Sequence, residues 1–325
     1  MKISIIGSGI YGISLALNIA ENNHTIKMWS ENKELVENFE KNHNFKPVTE
    51  EKVPKNIIMM SSDLKEVIKD ADLILFSTSA KYVRSTCLNI KDFYDPKVPI
   101  CIASKGIEND TCSFLSDVVS DILGTKHVCV ISGPSFAVDL ITKQPIALSL
   151  ASTSKKSYLA TKNALKNTHV KVRRCKDIYA VQLCGSIKNV IAIAAGILDG
   201  LGYQESTRAF LITESLHDIK ALLRKMHCRP SSILSYAGMG DLILTCSSTK
   251  SRNYSFGVVI GKKSGKEAIK EYLDTHTTEG YYTLLSIKKL TKNKKIKMPI
   301  INIMYDICIN NKNPEILSEF LINKE

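Results

Sequence analysis

The first residues with a chemical reading are Gly7, Gly9 and Gly12, in the run Ile3-Ser4-Ile5-Ile6-Gly7-Ser8-Gly9-Ile10-Tyr11-Gly12. Glycines at G-x-G-x-x-G spacing, after an apolar run and before a helical pattern, cradle the pyrophosphate of a dinucleotide. The first permits a tight turn, the second lets backbone approach the anion, and the third lets helix and strand pack closely. The N–H groups of the helix start then face the anion. Glu31 follows the next apolar run, roughly 20 residues past the glycines, where an acid binds adenosine ribose hydroxyls and an arginine suits a 2′-phosphate. A solvated first-turn glutamate on the following helix is the other reading of that position.

Further polar residues stand in apolar or glycine-rich settings. Ser104-Lys105-Gly106 and Ser132-Gly133-Pro134-Ser135-Phe136-Ala137 each follow the end of a β-like run, where doubly wound proteins place ligand contacts. Lys188-Asn189 lies inside an apolar helical pattern at 181–198. A bare ammonium is costly to bury, so Lys188 either snorkels to an edge or points into a cleft to meet an anion. Asp241, between the glycines of Ala237-Gly238-Met239-Gly240 and an apolar run, is a candidate partner for it. Ser251, Arg252 and Asn253 combine hydroxyl, guanidinium and amide. That set suits a phosphate, although a polar loop would read the same way.

The elements that must position these groups fall into two textures. Candidate strands at 3–6, 25–29, 57–60, 73–77, 100–103 and 128–131 alternate with helical patterns such as 11–21, 63–69 and 112–122. That alternation predicts a parallel, doubly wound Rossmann-type sheet. Runs at 146–150 and 170–173, flanking a helix at 155–166, extend it. From about residue 177 long helical patterns take over, at 178–196, 206–226, 254–260, 280–290 and 300–308. The expected fold is α/β, with a dinucleotide-binding domain at 1–176 and an all-helical substrate and catalytic domain at 177–325. The stretch 181–198 is apolar nearly all round, the mark of a centrally buried helix.

Bulk properties narrow the classes. Hydrophobic content is 44% and charged content 23%, the mix of a globular protein. The longest apolar run, 190–198, is about half of what a bilayer span needs, and the N-terminus enters β-like sequence without a leader pattern. Nine cysteines, none in a C-x-x-C pair or at zinc-ligand spacing, read as thiols of a reducing compartment. A cytoplasmic protein is expected, with no membrane span and no metal. The net charge of +12 reads as a Lys/Asn/Ile-rich composition or as a face for anionic partners; no interleaved aromatic–basic pattern points to nucleic acid.

In this order, these stretches resemble the NAD(P)-dependent glycerol-3-phosphate dehydrogenases, chiefly the bacterial type. The likeness is densest in SGPSFA (132–137), IKNVIAIAAGILDGLG (187–202), GMGDLILTCSS (238–248) and SRN (251–253). It implies a small-molecule substrate, with reversible reduction of dihydroxyacetone phosphate to sn-glycerol 3-phosphate for glycerophospholipid synthesis, NADH or NADPH as cofactor, and a homodimer. It makes Lys188 the proton donor and acceptor, with Lys105 and Asp241 in the catalytic set. It implies substrate contacts from Lys105, Gly133, Ser135, Lys188, Asp241, Ser251, Arg252 and Asn253. Cofactor contacts fall on Ile10, Tyr11, Lys105, Ala137, Arg252, Thr277 and Glu279, beside Gly7, Gly9, Gly12 and Glu31.

The chain departs from the family pattern at Gln182, where a glutamate is usual, and at Glu214, where bacterial relatives commonly carry arginine. It also departs at Glu31, in a neighbourhood that is often basic, and at Ser77-Thr78-Ser79, where Val-Pro is usual. None of these touches the substrate set. Two rival readings share the domain plan. A hydroxyacid or 6-phosphogluconate-type dehydrogenase would not explain Ser251-Arg252-Asn253 together with Lys105, and a non-catalytic nicotinamide redox sensor would not need Lys188, Lys105 and Asp241.

Overall fold

Alternating apolar runs in the first half pair edge to edge because each strand is covered on its faces by the amphipathic helices that follow it. The computed structural model describes residues 1–263 and 265–323. Its strands are β1 (Lys2–Ile6), β2 (Thr25–Trp29), β3 (Ile57–Ser61), β4 (Leu73–Phe76), β5 (Ile100–Ile102), β6 (Val128–Ser132), β7 (Ile146–Ser152) and β8 (Val170–Arg174). They form one sheet in the order β3-β2-β1-β4-β5-β6-β7-β8. β1 through β6 run parallel, with Ile5 of β1 opposite Met28 of β2 and Leu75 of β4. The order reverses between β1 and β4, so a switch-point crevice opens at their carboxyl ends. Gly7 and Ser77 stand there. One side of the sheet packs its core from Ile3, Ile5, Met28 and Leu75 against Leu15 and Ile19 of the helix Ile10–Ala20.

The last two strands run against the first six: β7 pairs antiparallel to β6, with Ile131 opposite Leu150. The connection between them carries one short helix, Ala137–Ile141, of five residues. β8 then joins β7 in parallel.

The chain divides into two compact units. One holds Met1–Ser104 and Phe114–Ile178; the other holds Lys105–Ser113 and the described residues from Tyr179 onward. The sequence boundary expected at 176/177 placed 105–113 in the first domain, whereas those residues belong with the helical unit. No periodicity in so short a stretch could have shown it.

The helical unit is built on the helix Ile178–Gly200, buried at every residue from Ala180 to Leu198. By length and composition it could cross a membrane, yet its most apolar 18-residue stretch is wholly covered by protein. The helix Arg252–Lys262 crosses it backbone to backbone. A Cβ on Gly196 would lie 2.0 Å from the Tyr254 carbonyl oxygen, and one on Gly257 would lie 2.0 Å from that of Ile193. Gly200 and Gly261 repeat the contact one turn on, at 2.5 Å from the Val258 and 2.4 Å from the Ile197 carbonyl oxygens. This close crossing fixes where the first turn of Arg252–Lys262 sits relative to the buried helix.

Gly257→Ala tests the crossing. In an exposed helix this change is worth about 0.5–1 kcal/mol of stabilisation. Here the methyl has no room, and denaturant unfolding is expected to show a loss of roughly 1–3 kcal/mol.

Candidate active site

In the first unit, residues of the glycine loop are held by one another and by β4. Gly7 has φ +116°, a left-handed-side conformation that side chains disfavour. A Cβ on Gly12 would lie 2.2 Å from the Gly7 carbonyl oxygen, so the helix seats directly on the turn. The Ser77 hydroxyl donates to that same carbonyl (3.0 Å), so the departure at Ser77-Thr78-Ser79 braces the loop. Gly9 is the N-cap of the helix Ile10–Ala20, no side chain caps its N–H groups, and nothing lies within 4 Å of where its Cβ would be. This is the space an approaching pyrophosphate uses.

A cleft of about 500 Å³ opens beside this loop, with Gly7, Trp29, Glu31, Thr78 and Tyr82 among its walls. Glu31, just past the end of β2, is exposed on its rim. The Thr78 hydroxyl oxygen is buried without a hydrogen-bond partner, a group that a ligand would satisfy. These features fit the adenosine half of a nicotinamide dinucleotide. Elsewhere in the unit, the Tyr11 hydroxyl meets the Ser135 hydroxyl at 3.0 Å, and Ser135 also donates to the Gly133 carbonyl (3.1 Å). Glycine-loop helix and SGPSFA turn are thereby joined, with Ala137 opening the short helix after the turn.

In the helical unit, Lys188 resolves the choice left by its sequence: it is 6% exposed and does not reach an edge. Its Nζ donates to Asp241 Oδ1 (2.6 Å) and to the Thr245 hydroxyl (2.7 Å). Lys105 Nζ donates to the other carboxylate oxygen of Asp241, also at 2.7 Å. Asp241, 1% exposed, begins the short helix Asp241–Cys246, so Thr245 falls one turn later on the same face. The sequence reading passed over Thr245 because 242–246 looked like an apolar run; the i, i+4 spacing from Asp241 was the available signal.

The electrostatics follow from one carboxylate serving two ammoniums. Burial disfavours the Lys188 charge, Asp241 favours it and Lys105 opposes it, leaving its pKa lowered to about 8. Burial alone would raise the Asp241 pKa, but Lys105 and Lys188 together outweigh that and hold it below the ordinary carboxylate value. An ammonium has three N–H donors. Two of those on Lys188 are used, which leaves one for an incoming oxygen.

The phosphate candidates stand at the start of Arg252–Lys262. Ser251 is buried and caps that helix, accepting from Tyr254 N (3.3 Å). Arg252 is exposed, and Asn253 Oδ1 accepts from Gly280 N (2.8 Å). A Cβ on Gly280 would lie 2.6 Å from the Asn189 carbonyl oxygen, so this turn packs against the Lys188-Asn189 segment. Glu279, one residue earlier, has its pKa raised by burial, against the pull of Arg252, Lys105 and Lys188. Thr277 is exposed just before it. Lys188, Lys105, Asp241, Asn253 and Glu279 thus share one neighbourhood, while Gly7, Gly9, Ile10, Tyr11, Gly12, Glu31, Gly133, Ser135 and Ala137 belong to the first unit.

A glycine-loop parallel sheet with an open cleft, together with a helical unit carrying a buried lysine–carboxylate cluster, defines a class: the nicotinamide dinucleotide-dependent oxidoreductases. Residues 2–158 match the N-terminal family model, and residues 177–319 the C-terminal one, of NAD-dependent glycerol-3-phosphate dehydrogenase. The chain belongs to that family. It is 34% identical over 317 residues to glycerol-3-phosphate dehydrogenase (NAD(P)+) of Staphylococcus haemolyticus, covering 96% of this chain and 95% of that one. It is likewise 34% identical to the protein of that name from Leptospira biflexa, covering 100% of this chain and 98% of that one. Among solved structures, glycerol-3-phosphate dehydrogenase from Coxiella burnetii superposes with a TM-score of 0.92 at 28% identity, covering 99% of both chains.

Removing the shared carboxylate tests the cluster. Asp241→Asn is expected to cost roughly 3–5 kcal/mol near neutral pH, the penalty for a buried charge left without its partner. The depressed Asp241 pKa means its contribution is present above the unfolded value of 3.8 and is lost as pH falls through the lower folded value. Lys188, lowered from 10.5 to about 8, stops needing a counter-charge as pH rises through about 8. Urea unfolding across pH should therefore show a gap between wild type and variant that is widest between these limits and narrows on both sides.

Proposed function

We propose that this chain catalyses the reversible NADH- or NADPH-dependent reduction of dihydroxyacetone phosphate to sn-glycerol 3-phosphate, supplying glycerol 3-phosphate for glycerophospholipid synthesis. The observation that carries the reading is the cluster of Lys188, Lys105 and Asp241. It holds two positive charges and one negative charge out of water, with one Lys188 N–H left to donate. When bound, the nicotinamide would supply the hydride for the ketone carbon, which leaves the negative charge on the former carbonyl oxygen.

Lys188 then serves that oxygen in two ways. Its N–H and the surplus positive charge of the cluster stabilise the developing oxyanion, and its proton completes the alcohol. A pKa of about 8 keeps the lysine largely protonated at neutral pH while making it a better acid than an ordinary lysine. After transfer, Asp241 and Lys105 remain as a balanced pair. In the reverse direction the neutral amine takes the alcohol proton.

Arg252 and Asn253, at the positive end of a helix, grip the phosphate, with Ser251, Gly133 and Ser135 completing the substrate set. Remote binding of this kind orients the carbonyl for reaction. The cofactor set is Gly7, Gly9, Ile10, Tyr11, Gly12, Glu31, Lys105, Ala137, Arg252, Thr277 and Glu279. We place the enzyme in the cytoplasm as a homodimer, readings supported by its free cysteines and by family resemblance.

Lys188→Ala is expected to remove turnover, by at least ~10²–10⁴-fold, while NAD(P)H binding followed by fluorescence persists; normal turnover would overturn the assignment. For the cofactor, the Glu31 carboxylate on the cleft rim suits ribose hydroxyls and repels a 2′-phosphate. Parallel assays with dihydroxyacetone phosphate are expected to show appreciable NADH oxidation. Oxidation of NADPH alone would contradict the role given to Glu31.

A further inference from the structure

Lys105 opens a short strap, residues 105–113, that belongs to the helical unit although its sequence neighbours on both sides belong to the other. A lysine side chain has about 2 kcal/mol of rotamer entropy to lose, and the next residue, Gly106, has φ +153°, which lends the backbone freedom. Something must therefore hold the strap if Lys105 is to stay on Asp241. The holding points lie on the helix Glu279–Asn293, whose first residue is Glu279.

Ser286, 1% exposed and about two turns along that helix, makes two of the contacts. Its hydroxyl donates to Asn109 Oδ1 (2.7 Å), and its carbonyl accepts from the Cys112 thiol (3.5 Å). Lys289, nearly one turn further, donates to the Asp110 carbonyl (2.6 Å). The strap is also closed on itself: Cys112 N donates to the Glu108 carbonyl (3.0 Å), Glu108 N donates to the Ser113 carbonyl (3.1 Å), and the Thr111 hydroxyl bonds the Glu108 carboxylate. Ile107, 2% exposed, buries the segment between this closed turn and Lys105. From Ser286 to Lys105 the path is thus a hydrogen-bonded, self-closed piece of chain whose residues 106–108 are buried.

We propose that Ser286, with Asn109 as its partner, is a positioning residue for the reaction: it clamps the 105–113 strap to the helix Glu279–Asn293 and so holds the Lys105 ammonium on Asp241. The proposal rests on the reductase reading given above. One helix then organises two parts of the site, presenting Glu279 from its first turn and securing Lys105 from its middle.

Lys188 is the reporter. The charged or titratable groups that bear on it are Asp241, Lys105, Glu279 and Cys246. Of these, Lys105 is the one the strap carries, and its ammonium pushes the Lys188 pKa down. A loosened strap lets that repulsion fade, so the Lys188 pKa rises. Reduction needs protonated Lys188 and is lost as pH rises through that pKa, so the alkaline limb moves to higher pH.

The experiment measures kcat and KM against pH with dihydroxyacetone phosphate and NADH or NADPH, for wild type, Ser286→Ala, Asn109→Ala, Asn109→Asp and the double alanine variant. Cofactor affinity by fluorescence and Tm are recorded alongside. Expected are a kcat lower by on the order of 10-fold in each alanine variant, an alkaline limb displaced upward, unchanged cofactor affinity and a non-additive double variant. Asn109→Asp keeps the acceptor oxygen and should stay near wild type. An active wild type whose alanine variants keep its kcat and pH profile overturns the clamp and leaves the reaction standing. Lower activity that follows a fall in Tm with an unmoved alkaline limb also overturns it. A wild type with no turnover of dihydroxyacetone phosphate overturns both readings.

Discussion

An ammonium can be buried only beside a counter-charge, and in this chain one carboxylate provides it for two lysines. Asp241 is 1% exposed and receives Lys105 at 2.7 Å and Lys188 at 2.6 Å. The pairing is deliberately unequal in its electrostatic effect. Asp241 keeps Lys188 from being neutralised by its apolar surroundings, while Lys105 keeps that pairing from becoming so favourable that the proton could not leave. The outcome is a lysine with a pKa of about 8, charged at neutral pH and ready to give up its proton. Surplus positive charge in a water-poor setting is what a developing alkoxide requires.

The surrounding frame makes this arrangement rigid. Lys188 sits in the middle of a helix whose every face is covered, so its backbone has no freedom to relax. Glycines on that helix and on Arg252–Lys262 bring the two backbones into contact, and Gly280 lets a third segment approach Asn189. The consequence is that the positive helix start bearing Ser251, Arg252 and Asn253 is held by close backbone contacts. Apolar burial and small residues here do the positioning, and polar residues do the chemistry.

The cofactor-binding unit solves a different problem, that of bringing backbone close to an anion. Gly7, Gly9 and Gly12 meet it by omission of side chains, and Ser77 adds a hydroxyl brace from the neighbouring strand. That brace gives physical sense to a position where the chain departs from its family. Glu31 is the other such departure with a visible consequence, since it lines the cleft beside the glycine loop.

Much of this was legible from residue order, for reasons that are local. Strand–helix alternation, the glycine spacing and the all-round apolar stretch at 181–198 are short-range patterns, and they led to the parallel Rossmann-type sheet, its dinucleotide loop and the buried helix. Lys188 could be singled out because a charge inside an apolar pattern is anomalous on its face, and Asp241 because it was the acid between glycine turns and an apolar run. What residue order left open depends on contacts between distant segments. It offered snorkelling or burial for Lys188, and burial 53 residues from its partner in sequence decided between them. It took 242–246 as a plain apolar run, so Thr245 went unseen until a helix turned it toward Lys188. It assigned Lys105 to the first domain, whereas the strap from 105 to 113 is bonded to a helix more than 170 residues away. It read the strands as one parallel sheet, and the antiparallel pairing of β7 on β6 was visible only in the tertiary structure. Local periodicity specifies which elements form; which charges meet, and at what pKa, is set by the packing that brings those elements together.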